Sequence, residues 1–182
     1  MRELSLNILD IAQNSVAAGA ERCEIDVAEN TREHTLIIRI ADNGCGMDAQ
    51  TVKKVLDPFY TTRTTRKVGM GIPLFKMAAE MTGGSFDIQS EVGKGTVVTA
   101  VFKTDSIDFT PAGDVESSVC ALATMNDSID FVYKRQIDDR EFVFSSSEIK
   151  KILDGVPLNE PSVIQWIGEY LSENVSELKS SE

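Results

Sequence analysis

LNILDIAQNSVAAGA, residues 6–20, is a mostly apolar segment that carries three polar residues along one line. At about 100° per residue, a helix places Asn7, Asp10 and Asn14 within roughly 60° of one another. A polar arc this narrow is unusual for a face that meets solvent. Because burying amides and a carboxylate without partners costs free energy, either other protein groups satisfy these side chains or the stripe lines a cavity that holds a polar ligand.

The residues that follow alternate between strand and helix patterns. Polar and apolar residues alternate in four predicted strands, which are residues 23–29, 35–42, 85–90 and 96–102. Two helices are predicted between the second and third strands, over residues 48–56 and 72–84. The second helix has an apolar face at helical spacing, formed by Leu74, Met77, Ala78 and Met81. This order predicts a mixed sheet covered by helices on one face, an α/β (α+β) two-layer sandwich.

A change in composition divides the chain after residue 103. Residues 104–113 contain Asp, Thr, Pro and Gly, and they are predicted to link an N-terminal domain, 1–103, to a small α+β appendage, 114–182. Residues 104–182 hold 16 acidic and 6 basic residues, whereas the N-terminal domain holds 13 and 12. This charge is most simply a solvated surface, and a surface that docks a partner is the alternative.

Local patterns in the appendage predict its elements. A helix is expected over residues 114–125, followed by a hairpin that turns at Asp138 and Asp139. A capping box from Ser145 to Glu148 opens the next helix, and a last helix begins near Pro161.

Composition excludes several classes of protein. The net charge of −11 argues against a nucleic-acid surface, which needs clustered Lys and Arg. The longest apolar runs are only a few residues, so neither a membrane span nor a signal peptide is expected, and we expect a cytoplasmic protein. The three cysteines are far apart and form no CxxC pair, which indicates neither a disulfide framework nor a zinc site.

Three glycine motifs carry the chemistry of the N-terminal domain: DNGCGM at 42–47, KVGMGIPL at 67–74 and EVGKGT at 91–96. Glycines let a backbone approach a ligand closely, and the amides at a helix N-terminus favour phosphate. Each motif alone is weak, because turns between strands also need glycine. Neither GxxxxGK[ST] nor GxGxxG is present, which excludes two common nucleotide motifs.

The order of these motifs resembles the GHKL ATPases, the superfamily of gyrase, the large heat-shock chaperones, histidine kinases and MutL. LDIAQNSVAAGA is similar to their N box, DNGCGM to the first glycine box and DPFYTTR to the phenylalanine box. VGMGIPL is similar to the second glycine box and GKGT to the last. The resemblance covers roughly residues 1–103. It implies a Bergerat fold, which binds ATP between the helices of the sheet and a lid.

The resemblance implies a role for each matching residue near the adenine and the metal. Asn14 would coordinate Mg²⁺ through its side-chain oxygen, and Asp42 would accept a hydrogen bond from the adenine amino group. Gly44 and Gly46, with Met47 at the end of the same motif, would let the turn wrap the base. The hydroxyl of Thr96 would support the adenine contact.

The phosphates of ATP would be bound by the segment between the phenylalanine box and the next helix. The amides of Gly69 and Gly71 would face the phosphates, and the side chains of Arg63, Arg66 and Lys67 would pair with their charge. Two departures from histidine kinases occur here. Ala17 stands where many kinases have a basic residue, and Lys67 stands where their second glycine box has a further glycine.

Asp10 is the candidate catalytic residue. In gyrase, the chaperones and MutL, a glutamate four residues before the magnesium asparagine polarises the attacking water, and Asp10 has this position relative to Asn14. Its side chain is one methylene shorter than glutamate. It is either a general base or a group that orders a Mg²⁺-bound water. Asn7, on the same face of the helix, is expected to complete the hydrogen bonding of the stripe.

Two functions follow from the resemblance. The first is a regulatory ATPase, or a kinase that phosphorylates a separate protein as anti-sigma-factor serine kinases do. The only histidine in the sequence, His34, is expected in an exposed turn, and phosphotransfer to a histidine of the chain's own helical hairpin is not expected. The alternative is an ATP- or ADP-dependent switch that binds an unidentified protein partner without turnover. A scaffold that has lost nucleotide is a third reading, and a homodimer is left open.

Overall fold

The computed structural model describes residues 3–59 and 71–180. The helices are α1 (Leu4–Ala17), α2 (Ala49–Leu56), α3 (Gly71–Met81), α4 (Val115–Met125), α5 (Ser146–Leu153) and α6 (Pro161–Ser180). The strands are β1 (Arg22–Asn30), β2 (Thr35–Asp42), β3 (Ser85–Glu91), β4 (Gly95–Lys103), β5 (Asp130–Ile137) and β6 (Arg140–Ser145).

The six strands form one mixed sheet in the order β3-β4-β2-β1-β5-β6. Its register places Ile25 opposite Ile40, and Ile40 opposite Val98, so that apolar side chains from neighbouring strands share one face. These three side chains are at most 2% exposed. Charged residues such as Asp26 and Arg39, which pair across the opposite face, remain accessible. The prediction of a mixed sheet with helices on one face is confirmed.

The acidic C-terminal region continues this sheet. β5 runs parallel to β1, from the pair Arg22 and Asp130 to the pair Glu29 and Ile137, and β6 then pairs antiparallel with β5. One hydrophobic core contains residues from both parts of the chain. The appendage therefore shares a sheet and a core with the N-terminal domain. The proposed division into two domains, linked by residues 104–113, stays a prediction.

Helix α1 lies between α3 and α4 over the sheet. Its side chains Leu4, Ile8 and Ala12 are fully buried. The amides of Leu4 and Ser5 donate to the carbonyls of Pro111 and Ala112, at 2.9 and 2.8 Å. These bonds satisfy two of the amides that the first turn of a helix leaves without partners, and they fix α1 to the linker segment.

The predicted apolar face of α3 was wrong. The helix buries Ile72, Phe75 and Ala79 together with Ala78, whereas Met77 and Met81 are 47% and 55% exposed. The helix is apolar on most of its circumference, so spacing alone permits more than one inward face. The ring of Phe75, which packs 5.5 Å from that of Phe102 on β4, turns the helix toward the sheet.

The predicted caps and turns of the C-terminal region are confirmed. Ser145 caps α5 by accepting from the amide of Glu148 at 3.4 Å, and β5 and β6 join at Asp138, which has a left-handed φ of 54°. His34 is an exposed turn residue, as expected. None of the helices in the described part of the chain is long and apolar enough to cross a bilayer.

Candidate functional site

The polar stripe of α1 runs from the protein interior to the surface. Asn7 is 4% exposed, Asn14 is half-buried and Asp10 is exposed. We expected Asn7 to complete the hydrogen bonding of the stripe, and this was wrong. Its Oδ1 is buried and accepts no hydrogen bond from the residues that the structure describes. The Asn7 oxygen is thus a buried acceptor without a donor among the described residues, whereas Asp10 and Asn14 reach solvent.

Asp10 faces the first residue of α3. A Cβ atom built on Gly71 would lie 3.0 Å from the Cβ of Asp10 and 3.8 Å from Cγ1 of Ile11, so a glycine lets α3 start directly against α1. Partial burial raises the pKa of the Asp10 carboxyl. The structure therefore brings the candidate catalytic residue against the first residue of α3.

Asp42 ends β2 with its carboxylate fixed on both oxygens. Ser15 Oγ donates to Oδ2 at 2.7 Å, and the amide of Gly44 donates to Oδ1 at 2.9 Å. Ser15 is 1% exposed and lies one residue after Asn14 on α1. Behind this pair, burial and the Asp42 charge hold the pKa of Cys23 at about 12, so the cysteine remains a neutral thiol.

Glycines of two motifs lie where backbones nearly touch. A Cβ on Gly46 would lie 2.0 Å from the Glu91 carbonyl oxygen, and one on Gly95 would lie 2.0 Å from the Asp42 carbonyl oxygen. Both glycines have positive φ, 70° and 125°. A Cβ on Gly44 would lie 2.7 Å from the Cβ of Ala18. The DNGCGM loop is thus clamped between the end of α1 and the β3–β4 turn, which presents Asp42 at a fixed place.

Ser90 is a residue that the sequence reasoning missed. Its Oγ accepts from the amide of Met47 at 2.8 Å and lies 2.8 Å from Oγ1 of Thr96. Ser90 Oγ also donates to the Gly95 carbonyl at 3.0 Å. The only sequence signal is its place at the end of a predicted strand. The hydroxyl joins the first glycine motif to the last, and it positions the predicted adenine-side residues Met47 and Thr96.

Four predicted phosphate-binding residues lie outside the described residues: Arg63, Arg66, Lys67 and Gly69. The structure does place Asp10, Asn14, Asp42, Gly44, Gly46, Met47, Gly71 and Thr96, and it gathers them around the end of β2, the C-terminal half of α1 and the start of α3. Of the residues expected to contact the phosphates, only Gly71 lies in the described ranges, and it faces α1 at Asp10, whereas Asp42 contacts α1 at Ser15. We refer to the region between these two contacts as the cleft.

The donor atoms at this cleft fit a magnesium ion that shares its ligands with phosphate. The side chain of Asn14 has no hydrogen-bond partner among the described residues, and Asp10 lies one turn before it. No cluster of three or more His, Cys, Asp or Glu side chains suited to a metal occurs in the described ranges. An amide oxygen with few protein ligands suits Mg²⁺, which keeps waters and takes phosphate oxygens.

Residues 1–106 match the family described as histidine kinase-, DNA gyrase B- and HSP90-like ATPase. The match covers more than half of the 182 residues, and the chain belongs to this family. Family membership and the fold support an ATP-binding, histidine-kinase-like ATPase domain.

The chain is also similar to sensor proteins of bacteria. It is 32% identical over 103 residues to a sensor protein of Shewanella frigidimarina, a match that covers 56% of this chain and 16% of that protein. It is 39% identical over 101 residues to the sensor protein SrrB of Staphylococcus aureus, covering 53% of this chain and 17% of SrrB. The match thus spans about a sixth of each of these relatives.

Proposed function

We propose that the chain binds Mg²⁺-ATP in this cleft and either hydrolyses it or transfers the γ-phosphoryl group to a separate protein. The observation that carries the proposal is the junction of Asp10 with Gly71, because it brings a carboxylate, an amide oxygen and a helix N-terminus to one end of the cleft. A carboxylate, an amide oxygen and helix amides near one another suit the binding of Mg²⁺ and phosphate.

Asp42 would recognise the base. Each of its oxygens already accepts one hydrogen bond from the protein, and a carboxylate oxygen can accept a second. An adenine amino group is a donor that fits this site. Because Ser15 and Gly44 hold the carboxylate in place, little side-chain entropy is lost when the base binds.

Asn14 would hold the ion and Asp10 would hold the attacking water. Bound Mg²⁺ would neutralise charge on the phosphates. In hydrolysis, the water oxygen bonds to the γ-phosphorus, the bond from that phosphorus to the bridging oxygen breaks, and ADP leaves with the electron pair. The proton of the water goes to the Asp10 carboxylate. Its raised pKa makes Asp10 a stronger base than an ordinary aspartate.

A second candidate is a switch that binds ATP and ADP without turnover. Asp10 is exposed and makes no side-chain hydrogen bond to the described residues, so nothing in the described part of the chain orients it as a base. Ala17, exposed on α1, supplies no positive charge to the phosphates. In this case a protein partner would read the nucleotide state.

Calorimetric titration with ATP and ADP, with and without Mg²⁺, followed by a phosphate-release assay separates these functions. We expect Mg²⁺-dependent ATP binding, and turnover that Asp10→Asn lowers by about a hundredfold or more while binding stays within about threefold. The matched control Asp87→Asn changes an exposed carboxylate on β3 and should do neither. If the protein binds ATP tightly but neither releases phosphate nor labels a candidate partner, the switch is selected. If the protein does not bind ATP, both functions are contradicted.

A further inference from the structure

A groove of about 620 Å³ runs between α4 and α6, away from the ATP-binding cleft. Its lining includes the small or apolar residues Cys120 and Ala121 from α4 and Ile164 and Gly168 from α6, here called the floor, together with the polar residues Ser117, Gln165 and Ser172. Small residues let a third helix approach two packed helices closely. The groove therefore has the shape and floor that suit a helix.

Four carboxylates border this groove: Asp114, Glu116, Glu169 and Glu173. None of them takes part in an ion pair with the Lys and Arg side chains of the described residues. Exposed carboxylates elsewhere in the fold often have such a pair, as Glu80 does with Lys76 at 2.9 Å. The groove thus has negative charge that no ion pair within residues 3–59 and 71–180 neutralises.

A hydrogen bond from the sheet holds the Glu116 carboxylate in place. The buried hydroxyl of Tyr133 on β5 donates to Glu116 Oε2 at 2.7 Å. Burial raises the pKa of Tyr133 far above its usual value, and the Glu116 charge raises it further, so the hydroxyl keeps its proton. The neighbouring buried guanidinium on β5, Arg135, instead lies 3.6 Å from Glu29. One carboxylate of the groove is therefore a fixed acceptor.

The charge of this face selects the occupant. A second copy of the chain, a nucleic acid and an anionic lipid surface would each bring more negative charge to it. A helix with an apolar face and flanking lysines or arginines would match both the floor and the rim. We propose that the groove between α4 and α6 docks a cationic amphipathic helix of a partner protein.

The test uses the full chain and a fluorescent peptide of about 18 residues, with leucine on one helical face and lysine on the other. Fluorescence anisotropy should show saturable binding. The variant E169K/E173K should weaken binding by at least about tenfold. The control E33K/D87K reverses as many exposed charges on other elements and should stay within about twofold. Equal weakening by both variants, or no saturable binding to the wild type, overturns the proposal.

A second variant tests the floor without changing charge. Gly168→Phe would fill the groove, and its first added atom would meet Cys120 Sγ at an ordinary 3.9 Å, so α6 should accept it. We expect peptide binding to fall by about tenfold while ATP affinity, measured on the same sample, is unchanged. Wild-type peptide affinity in this variant, or equal affinity for an unstructured lysine–glycine peptide of the same charge, contradicts docking of a helix. Loss of ATP affinity in Gly168→Phe would instead indicate a folding defect. In that case Ala121→Phe is used as the variant that fills the groove.

Discussion

Ser15 Oγ donates a 2.7 Å hydrogen bond to Asp42 Oδ2 and so joins α1, which carries Asp10 and Asn14, to the end of β2. The bond connects the proposed phosphate and adenine ends of the cleft through two side chains. Any movement of α1 along the sheet would therefore move the carboxylate that is proposed to recognise the base.

Replacing Ser15 by alanine should weaken ATP binding by about tenfold, because Asp42 would lose the donor that orients it. Titration calorimetry measures this loss. Ser118→Ala is the matched control, since this buried hydroxyl donates to the Ser5 carbonyl at 3.2 Å, away from the cleft. Both variants should lower the free energy of unfolding by about 1 kcal/mol. Equal ATP affinity in the two variants would count against a role of Ser15 in binding.

Alanine at Gly95 should destabilise the fold far more than alanine at Gly93. Both positions have positive φ, 125° and 83°, so both changes strain the backbone. Only at Gly95 would the new Cβ meet another backbone, the Asp42 carbonyl oxygen at 2.0 Å, whereas nothing lies within 4 Å at Gly93. We expect about 1–2 kcal/mol at Gly93 and at least about 3 kcal/mol at Gly95 in urea unfolding. Similar losses would show that the loop moves aside.

Removing the Ser90 hydroxyl should loosen the adenine side of the cleft without unfolding the protein. Ser90→Ala deprives the Met47 amide of its acceptor and Thr96 of its partner, so ATP affinity should fall by roughly threefold to tenfold. The control is Ser85→Ala, an exposed position at the start of the same strand. An unchanged affinity in Ser90→Ala would mean that Met47 and Thr96 do not depend on this hydroxyl.

Local patterns predicted the elements because each depends on neighbours in sequence. Strand alternation, the Ser145 cap and the turn at Asp138 are all visible within a few residues. The inward face of α3 could not be predicted from nearby residues, because a helix that is apolar on most sides is oriented by the sheet beneath it. The contact between the rings of Phe75 and Phe102, which are far apart in sequence, orients the helix.

The resemblance to the GHKL motifs singles out Asp42 and Gly71 as candidate site residues, and their roles stay predictions. The contact of Ser90 with Met47 could not be predicted, because it depends on β3–β4 pairing that no single segment encodes. Likewise, the pairing of β5 with β1 depends on a parallel register between distant segments. The prediction that Asn7 is hydrogen-bonded was wrong for a related reason, since the sequence shows that an amide is present but not whether a donor reaches its oxygen.

The protonation of Asp10 gives a last prediction, on pH and stability. Burial raises the pKa of this carboxyl above 3.8, so the folded protein binds the proton more tightly than the unfolded chain. Ionised Asp10 therefore destabilises the fold at neutral pH, and this effect disappears as the pH falls below the ordinary value of the unfolded chain. Asp10→Asn, which resembles the protonated acid, should be more stable than the wild type at pH 7.

Urea unfolding of wild type and Asp10→Asn across pH 3.5–7 measures this difference. Above the raised pKa of Asp10, the free energy of unfolding of the wild type should be lower than that of Asp10→Asn. The two values should converge as the pH falls toward 3.8, the ordinary pKa of the group. Asp87→Asn, which removes an exposed carboxylate on β3, is the matched control for the loss of one charge. Phosphate release should fall in the same acidic range, because the protonated carboxyl cannot accept the proton of the attacking water. A turnover rate that stays constant through that range, in a protein that remains folded, would leave Asp10 as a group that only orders water.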